Sequence, residues 1–145
     1  MTEPTRGQPE GEPRTLPRVL VVDDDADIRE LISAALADEG YQVDEAPDGD
    51  VALAMLERDL PDLIVLDWRM PGRHGAFVLD EVKERHPRLP VIVLTAEGRQ
   101  VQRALADALR ADAFIDKPFR VADLRATAER LLADRDAQGG QTEQS

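Results

Sequence analysis

The chain has 145 residues, with 18 Lys and Arg against 30 Asp and Glu and a formal net charge of −12. That length suits one domain with a real hydrophobic core, and 42% apolar residues exclude a disordered acidic polymer, while 3% aromatics leave the core to Val, Leu, Ile and Ala. The acidic balance argues against nucleic acid or an anionic membrane as partner of the whole surface, and the lack of cysteine excludes disulfides, thiolate metal sites and a thiol nucleophile.

In chain order, residues 1–17 are polar and rich in Pro and Gly, which predicts an unstructured N-terminal extension and no secretory signal. No apolar run approaches the roughly 18–20 residues of a membrane span, so a cytoplasmic location is expected. Arg18–Asp23 reads as a strand, and Ile28, Leu31, Ile32, Ala35 and Leu36 as a helical stripe ended by Gly40. Tyr41–Glu45 follows as a strand, and Val51, Ala54 and Met55 as a weaker stripe. Asp62–Leu66 is a third strand, with Phe77, Val78 and Val82 after it. Pro90–Leu94 is a fourth, followed by Val101, Ala104, Leu105, Ala108 and Leu109. Ala113–Asp116 is a fifth, followed by Val121, Leu124, Ala128, Leu131 and Leu132. Residues 135–145 carry nothing to bury and are expected to be an unstructured tail, which leaves one domain over 18–134.

Five strands alternating with five helices predict an α/β fold, a parallel sheet covered on both faces, because parallel strands need crossover connections. In such sheets the working crevice lies beyond the carboxyl ends of the strands. Asp23, Asp24 and Asp25 follow the first strand, Asp67 the third, Thr95 the fourth and Lys117 the fifth. Carboxylates gathered in one cleft repel unless protonated or bridged by a cation, and an all-oxygen donor set suits Mg²⁺. Each residue also has a plain alternative. Asp23–Asp25 would cap the next helix, Asp67 a turn, Thr95 would be an ordinary strand residue and Lys117 a solvated lysine. A calcium-loop reading of Asp23, Asp25 and Asp27 fails, because Ile28 stands where a turn glycine is needed and Ala34 where a glutamate is. At the end of a buried strand beside a metal, Asp67 would be a nucleophile able to form an acyl phosphate.

The segments Val19–Asp25 (VLVVDDD), Leu63–Gly75 (LIVLDWRMPGRHG), Val91–Ala96 (VIVLTA) and Lys117–Phe119 (KPF) resemble, in order and spacing, the receiver domain of two-component response regulators. The resemblance covers residues 18–134. It implies a doubly wound five-stranded sheet of order 2-1-3-4-5 with five helices. It implies that Asp67 accepts a phosphoryl group from a histidine kinase or a histidine phosphotransfer protein. Asp24 would hold Mg²⁺ directly and Asp23 through water, with Asp67 and the Arg69 main-chain carbonyl as further ligands. Lys117, preceding a cis peptide at Pro118, would neutralise phosphoryl oxygens and Thr95 would bind one. Phe114 would be the aromatic that moves with Thr95, and small Ala96 leaves access to the site. Departures from the family pattern are His74 in place of an acid, Arg110 in place of a glycine after the fourth helix, and Phe114 in place of Tyr. The resemblance implies that the positions of Arg69 and Glu97 tune the lifetime of the phosphorylated state, and the two are expected to pair across the site mouth.

Charge divides along the chain. Residues 18–96 carry 18 acids and 8 bases, whereas 97–134 carry 7 of each. The acidic part holds the site, and the balanced part is the expected output face of helix 4, strand 5 and helix 5. With no further domain after 134, the expectation is a stand-alone receiver that is a signalling protein rather than an enzyme. It would act on an unidentified downstream protein by contact or phosphorelay, without binding DNA or membrane, and a phosphorylation-dependent homodimer stays open. An aspartyl-phosphate phosphohydrolase is the enzymatic alternative, but such enzymes want an acid where Arg69 stands. A receiver-like adaptor that works without phosphorylation is the other, weighed against by the intact set Asp23, Asp24, Asp67, Thr95 and Lys117.

Overall fold

The computed structural model describes residues 16–69, 75–96 and 100–144, with the side chains of all but 96, 100–103 and 136–144. Strands β1 (Arg18–Val22), β2 (Gln42–Ala46), β3 (Leu63–Asp67), β4 (Val91–Ala96) and β5 (Ala113–Lys117) alternate with helices α1 (Ala26–Asp38), α2 (Gly49–Arg58), α3 (Gly75–Arg85), α4 (Gln100–Ala108) and α5 (Val121–Gln144). All pairings are parallel and the sheet order is β2-β1-β3-β4-β5, as expected from the sequence. Among the described residues, no helix is long and apolar enough to cross a membrane.

Side chains alternate across the pleat, so each central strand feeds two cores. Leu20, Val22, Ile64, Leu66, Val91 and Val93 pack with Ala52, Leu56, Val78, Leu79, Val82 and Ala106 of α2, α3 and α4. Val19, Val21, Leu63, Val65, Ile92, Leu94 and Ile115 pack with Ile32, Leu36, Leu124, Ala128, Leu131 and Leu132 of α1 and α5. The edge strands β2 and β5 are only partly buried.

Three helices meet the core differently from the periodicity reading. In α2, Ala52 and Leu56 face inward, while Val51 and Ala54 are exposed. In α3, Leu79 joins Val78 and Val82 and Phe77 turns outward; in α4, Ala106 is buried and Leu105 exposed. Short helices with few large apolar residues offer two candidate stripes a residue apart, and the sheet surface chooses between them. The last helix continues to Gln144, through the stretch expected to be an unstructured tail. Arg135, its side chain 3.0 Å from the buried Asp62, anchors it there by a polar contact that apolar periodicity does not register. The expected extension 1–17 lies outside the described residues up to 15, and Pro17 accepts a hydrogen bond from the Gln42 N–H.

Helices α1 and α4 end in the same way. After α1 the Gly40 N–H donates to the Ala37 carbonyl and the Tyr41 N–H to the Leu36 carbonyl; after α4 the Arg110 N–H donates to Asp107 and the Ala111 N–H to Ala106. This paired closure needs a left-handed residue, which is Gly40 (φ 99) in one case and Arg110 (φ 72) in the other. A side chain there costs free energy, because Cβ crowds the carbonyl. Arg110→Gly is therefore expected to stabilise the fold by roughly 0.5–1 kcal/mol, net of the larger entropy of an unfolded glycine. A higher urea midpoint at unchanged slope would show it. A lower midpoint would mean that the ion pair with Glu84, at 4.0 Å, contributes more than the strain.

Candidate functional site

The chain leaves β1 for β2 on one side and returns to β3 on the other, so the ends of β1 and β3 flank the point where strand order reverses. Asp23, directly after β1, is fully buried; its N–H donates to the Ala46 carbonyl and its Oδ1 accepts from the Asp25 N–H. Arg29 donates to the Asp23 carbonyl and pairs with Glu45, tying this corner to β2. Of the three consecutive acids only Asp25 caps α1, accepting from the Asp27 and Ile28 N–H groups, while Asp24 is exposed. The capping alternative thus accounts for one acid and leaves two for the crevice.

Asp67, the last residue of β3, is 5% exposed. Its Oδ1 accepts from Lys117 Nζ at 3.2 Å and from the Arg69 N–H at 3.4 Å. Lys117 Nζ also lies 3.5 Å from Asp23 Oδ2, so one ammonium stands between two buried carboxylates. Lys117 ends β5 and its peptide bond to Pro118 is cis. The pleat aligns these groups: Asp23, Asp67 and Lys117 continue the positions of Val21, Val65 and Ile115, which face α1 and α5.

Asp23, Asp24 and Asp67 each offer an oxygen within 4.8 Å of the others. Asp23 Oδ2 is buried with no hydrogen-bond partner, an acceptor that a cation would satisfy. Hard carboxylate oxygens, one of them orphaned, fit a divalent ion such as Mg²⁺.

Gly75 sets how closely α3 approaches the site. Its N–H donates to the Trp68 carbonyl, and a Cβ there would come within 2.8 Å of Trp68 main-chain atoms and 2.9 Å of the Asp67 carbonyl. Only glycine lets α3 start against the backbone that follows Asp67.

Thr95 is 1% exposed and opposite Asp116 in the β4–β5 register. Its hydroxyl donates to Asp116 Oδ1 at 2.7 Å. Phe114 is half-buried and packs against the core on the α4 side of the sheet. Thr95, Phe114 and Asp116 share that pleat face, opposite to Asp67 and Lys117. Arg69 is exposed. Glu97 and His74 lie outside the described residues, as does the side chain of Ala96, and with Glu97 the expected pairing to Arg69. Reading strand ends finds Asp23, Asp24, Asp67, Thr95 and Lys117 but misses Asp116, because register, not spacing, brings it to Thr95.

The family description "Response regulator receiver domain" matches residues 19–129. The chain belongs to the response regulator receiver family. This receiver is 37% identical over 119 residues to the phosphate regulon transcriptional regulatory protein PhoB of Rhizobium meliloti (strain 1021), covering 81% of this chain and 52% of that protein. It is similar to the crystal structure of the receiver domain of NtrX from Brucella abortus, with 40% identity and TM-score 0.76, covering 79% of this chain and 98% of that one. It is also similar to the chemotaxis protein CheY4 of Vibrio cholerae, with 32% identity and TM-score 0.76 over 80% of this chain and 98% of that one. The chain spans about half the length of the curated relatives it matches.

Burial, first, and the charge of Asp23, second, push the Asp67 carboxyl up from 3.8 to about 6; Lys117 and the Arg69 N–H hold it back. The folded receiver therefore binds this proton more tightly than the unfolded chain, and the stability it confers is full below about 3.8 and lost as pH rises through about 6. Metal-free protein is expected to lose stability over that window, and Asp67→Asn to be more stable at pH 7 by about 1–2 kcal/mol after allowance for solvent screening. Urea unfolding of both proteins between pH 4 and 7 measures this. Parallel profiles would show that Asp67 is not strained by its neighbours.

Proposed function

We propose that Asp67 of this receiver accepts a phosphoryl group from the phosphohistidine of a kinase or phosphotransfer protein, and that residues 18–134 form the unit that carries the signal. The observation that carries this reading is Lys117 Nζ at 3.2 Å from Asp67 Oδ1, in a crevice where three carboxylates converge. A carboxylate oxygen of Asp67 attacks phosphorus, the P–N bond breaks, and the histidine nitrogen leaves with the electron pair. Asp23, Asp24, Asp67 and the Arg69 carbonyl would hold Mg²⁺, which supplies charge neutralisation at the phosphoryl oxygens. Lys117 contributes the second cation and is already placed against the acceptor oxygen. Arg69, where a phosphohydrolase would want an acid, favours a phosphoacceptor over such an enzyme.

The acyl phosphate adds about 1.5–2 negative charges at Asp67. Thr95 turns its hydroxyl to a phosphoryl oxygen, Phe114 follows on the same pleat face, and the α4–β5–α5 surface changes. A two-state equilibrium is shifted by contacts that exist in one state only. A downstream protein reads that surface.

Incubation with a small acyl-phosphate donor and Mg²⁺, read by intact mass, tests the reading. One added phosphoryl group is expected for the wild type, none for Asp67→Ala, and none after chelation of the metal. A label that survives Asp67→Ala would place the acceptor elsewhere. Trp68, adjacent to Asp67 and buried, is expected to change its fluorescence on Mg²⁺ addition.

A further inference from the structure

We infer that Asp116 is a positioning residue of the switch, holding the Thr95 hydroxyl away from the acceptor site until a phosphoryl group competes for it. The inference rests on the phosphoacceptor reading above and adds a residue which that reading does not use. A threonine hydroxyl has one proton to donate. Here it is given to Asp116 Oδ1 at 2.7 Å. Thr95 is 1% exposed, so solvent offers little in exchange. The hydroxyl cannot serve Asp116 and a phosphoryl oxygen at once, so the two contacts exclude each other.

The latch is part of the sheet ladder. Thr95 and Asp116 face each other in register on β4 and β5, flanked by the pairs Leu94 with Ile115 and Ala96 with Lys117. Their separation is therefore set by backbone pairing and not by the wandering of a long surface side chain. A carboxylate oxygen is also a stronger acceptor than a carbonyl or a water. The contact biases the unphosphorylated chain toward the state in which Thr95 points at β5. It lies on the pleat face of Phe114, so releasing Thr95 alters the side of the sheet that α4 covers. Asp116 also borders the surface groove formed with Phe114, Phe119, Arg120 and Thr127, while Thr95 beneath it stays buried.

Binding of beryllium fluoride, a tetrahedral anion that stands in for the phosphoryl group, tests this when read by Trp68 fluorescence at saturating Mg²⁺ with the full chain. Asp116→Val removes the acceptor and keeps a strand-compatible shape. It is expected to bind the anion about five- to tenfold more tightly than the wild type. Asp116→Asn, which keeps a weaker acceptor, is expected to fall between the two and serves if the valine variant does not fold. In a Thr95→Ala background the gain from Asp116→Val is expected to vanish, which a merely structural effect of Asp116 would not produce. A wild type that binds the anion while both Asp116 variants titrate within twofold of it overturns the inference and leaves the phosphoacceptor reading standing. So does a gain that survives Thr95→Ala. A wild type that neither binds the anion nor takes the mass label overturns the phosphoacceptor reading, and the inference with it.

Discussion

Asp23 and Asp67 are buried side by side at the ends of adjacent parallel strands, with the Lys117 ammonium 3.5 and 3.2 Å from them. Two carboxylates in so dry a place repel, and one lysine does not cancel both charges. The Asp67 carboxyl responds by holding its proton up to about pH 6. Asp23 keeps an oxygen with no hydrogen bond. This deficit of positive charge suits the crevice to a divalent cation, whose charge would offset the carboxylates. The fold tolerates it because the two leucine- and valine-rich cores on either side of the sheet supply the stability that the crevice does not.

The pleat then separates tasks. Residues in step with Val21, Val65 and Ile115 reach the α1 and α5 side and end in Asp23, Asp67 and Lys117, the groups that handle charge. Those in step with Val93 and Phe114 reach the α4 side and end in Thr95 and Asp116. In the proposed switch a signal that starts in one set would cross the sheet to be read in the other, and Thr95, near the end of β4, would carry it. The glycine at 75 serves the same geometry from the third direction, bringing α3 against the backbone after Asp67 so closely that no Cβ fits.

Elsewhere the molecule uses polar groups to lock the ends of the sheet away from the crevice. Arg18 pairs with Asp44 and Asp59 while its N–H donates to Asp62, joining β1 to β2 and to the turn before β3. Lys83, 2% exposed, donates to the Leu89 carbonyl and to Asp112, whose carboxylate also accepts from the Val91 N–H. These pairs fix where β3, β4 and β5 begin, and hence which residues arrive together at the far end.

Much of the architecture is a local property of the chain. Near-continuous runs such as Leu63–Asp67 can only be strands covered on both faces, and their alternation with helical stripes requires a parallel sheet with crossovers. The acids, hydroxyl and lysine that follow the strands were legible for the same reason, since strand ends in such sheets converge on one rim. What stayed hidden depends on contacts between distant segments. Periodicity sets the inward stripe of α2 and α4 a residue or two away from where it packs, because alanine fits either face of a helix. Arg135 reads as tail in the sequence, because its partner Asp62 is remote along the chain. Asp116 carries no local signal, because only the β4–β5 register sets it against Thr95. The sequence by itself determined which residues reach the crevice, through periods of 2 and 3.6 that act over a few residues. Only the tertiary structure decided which of them touch, because register and packing are set between strands that are far apart along the chain.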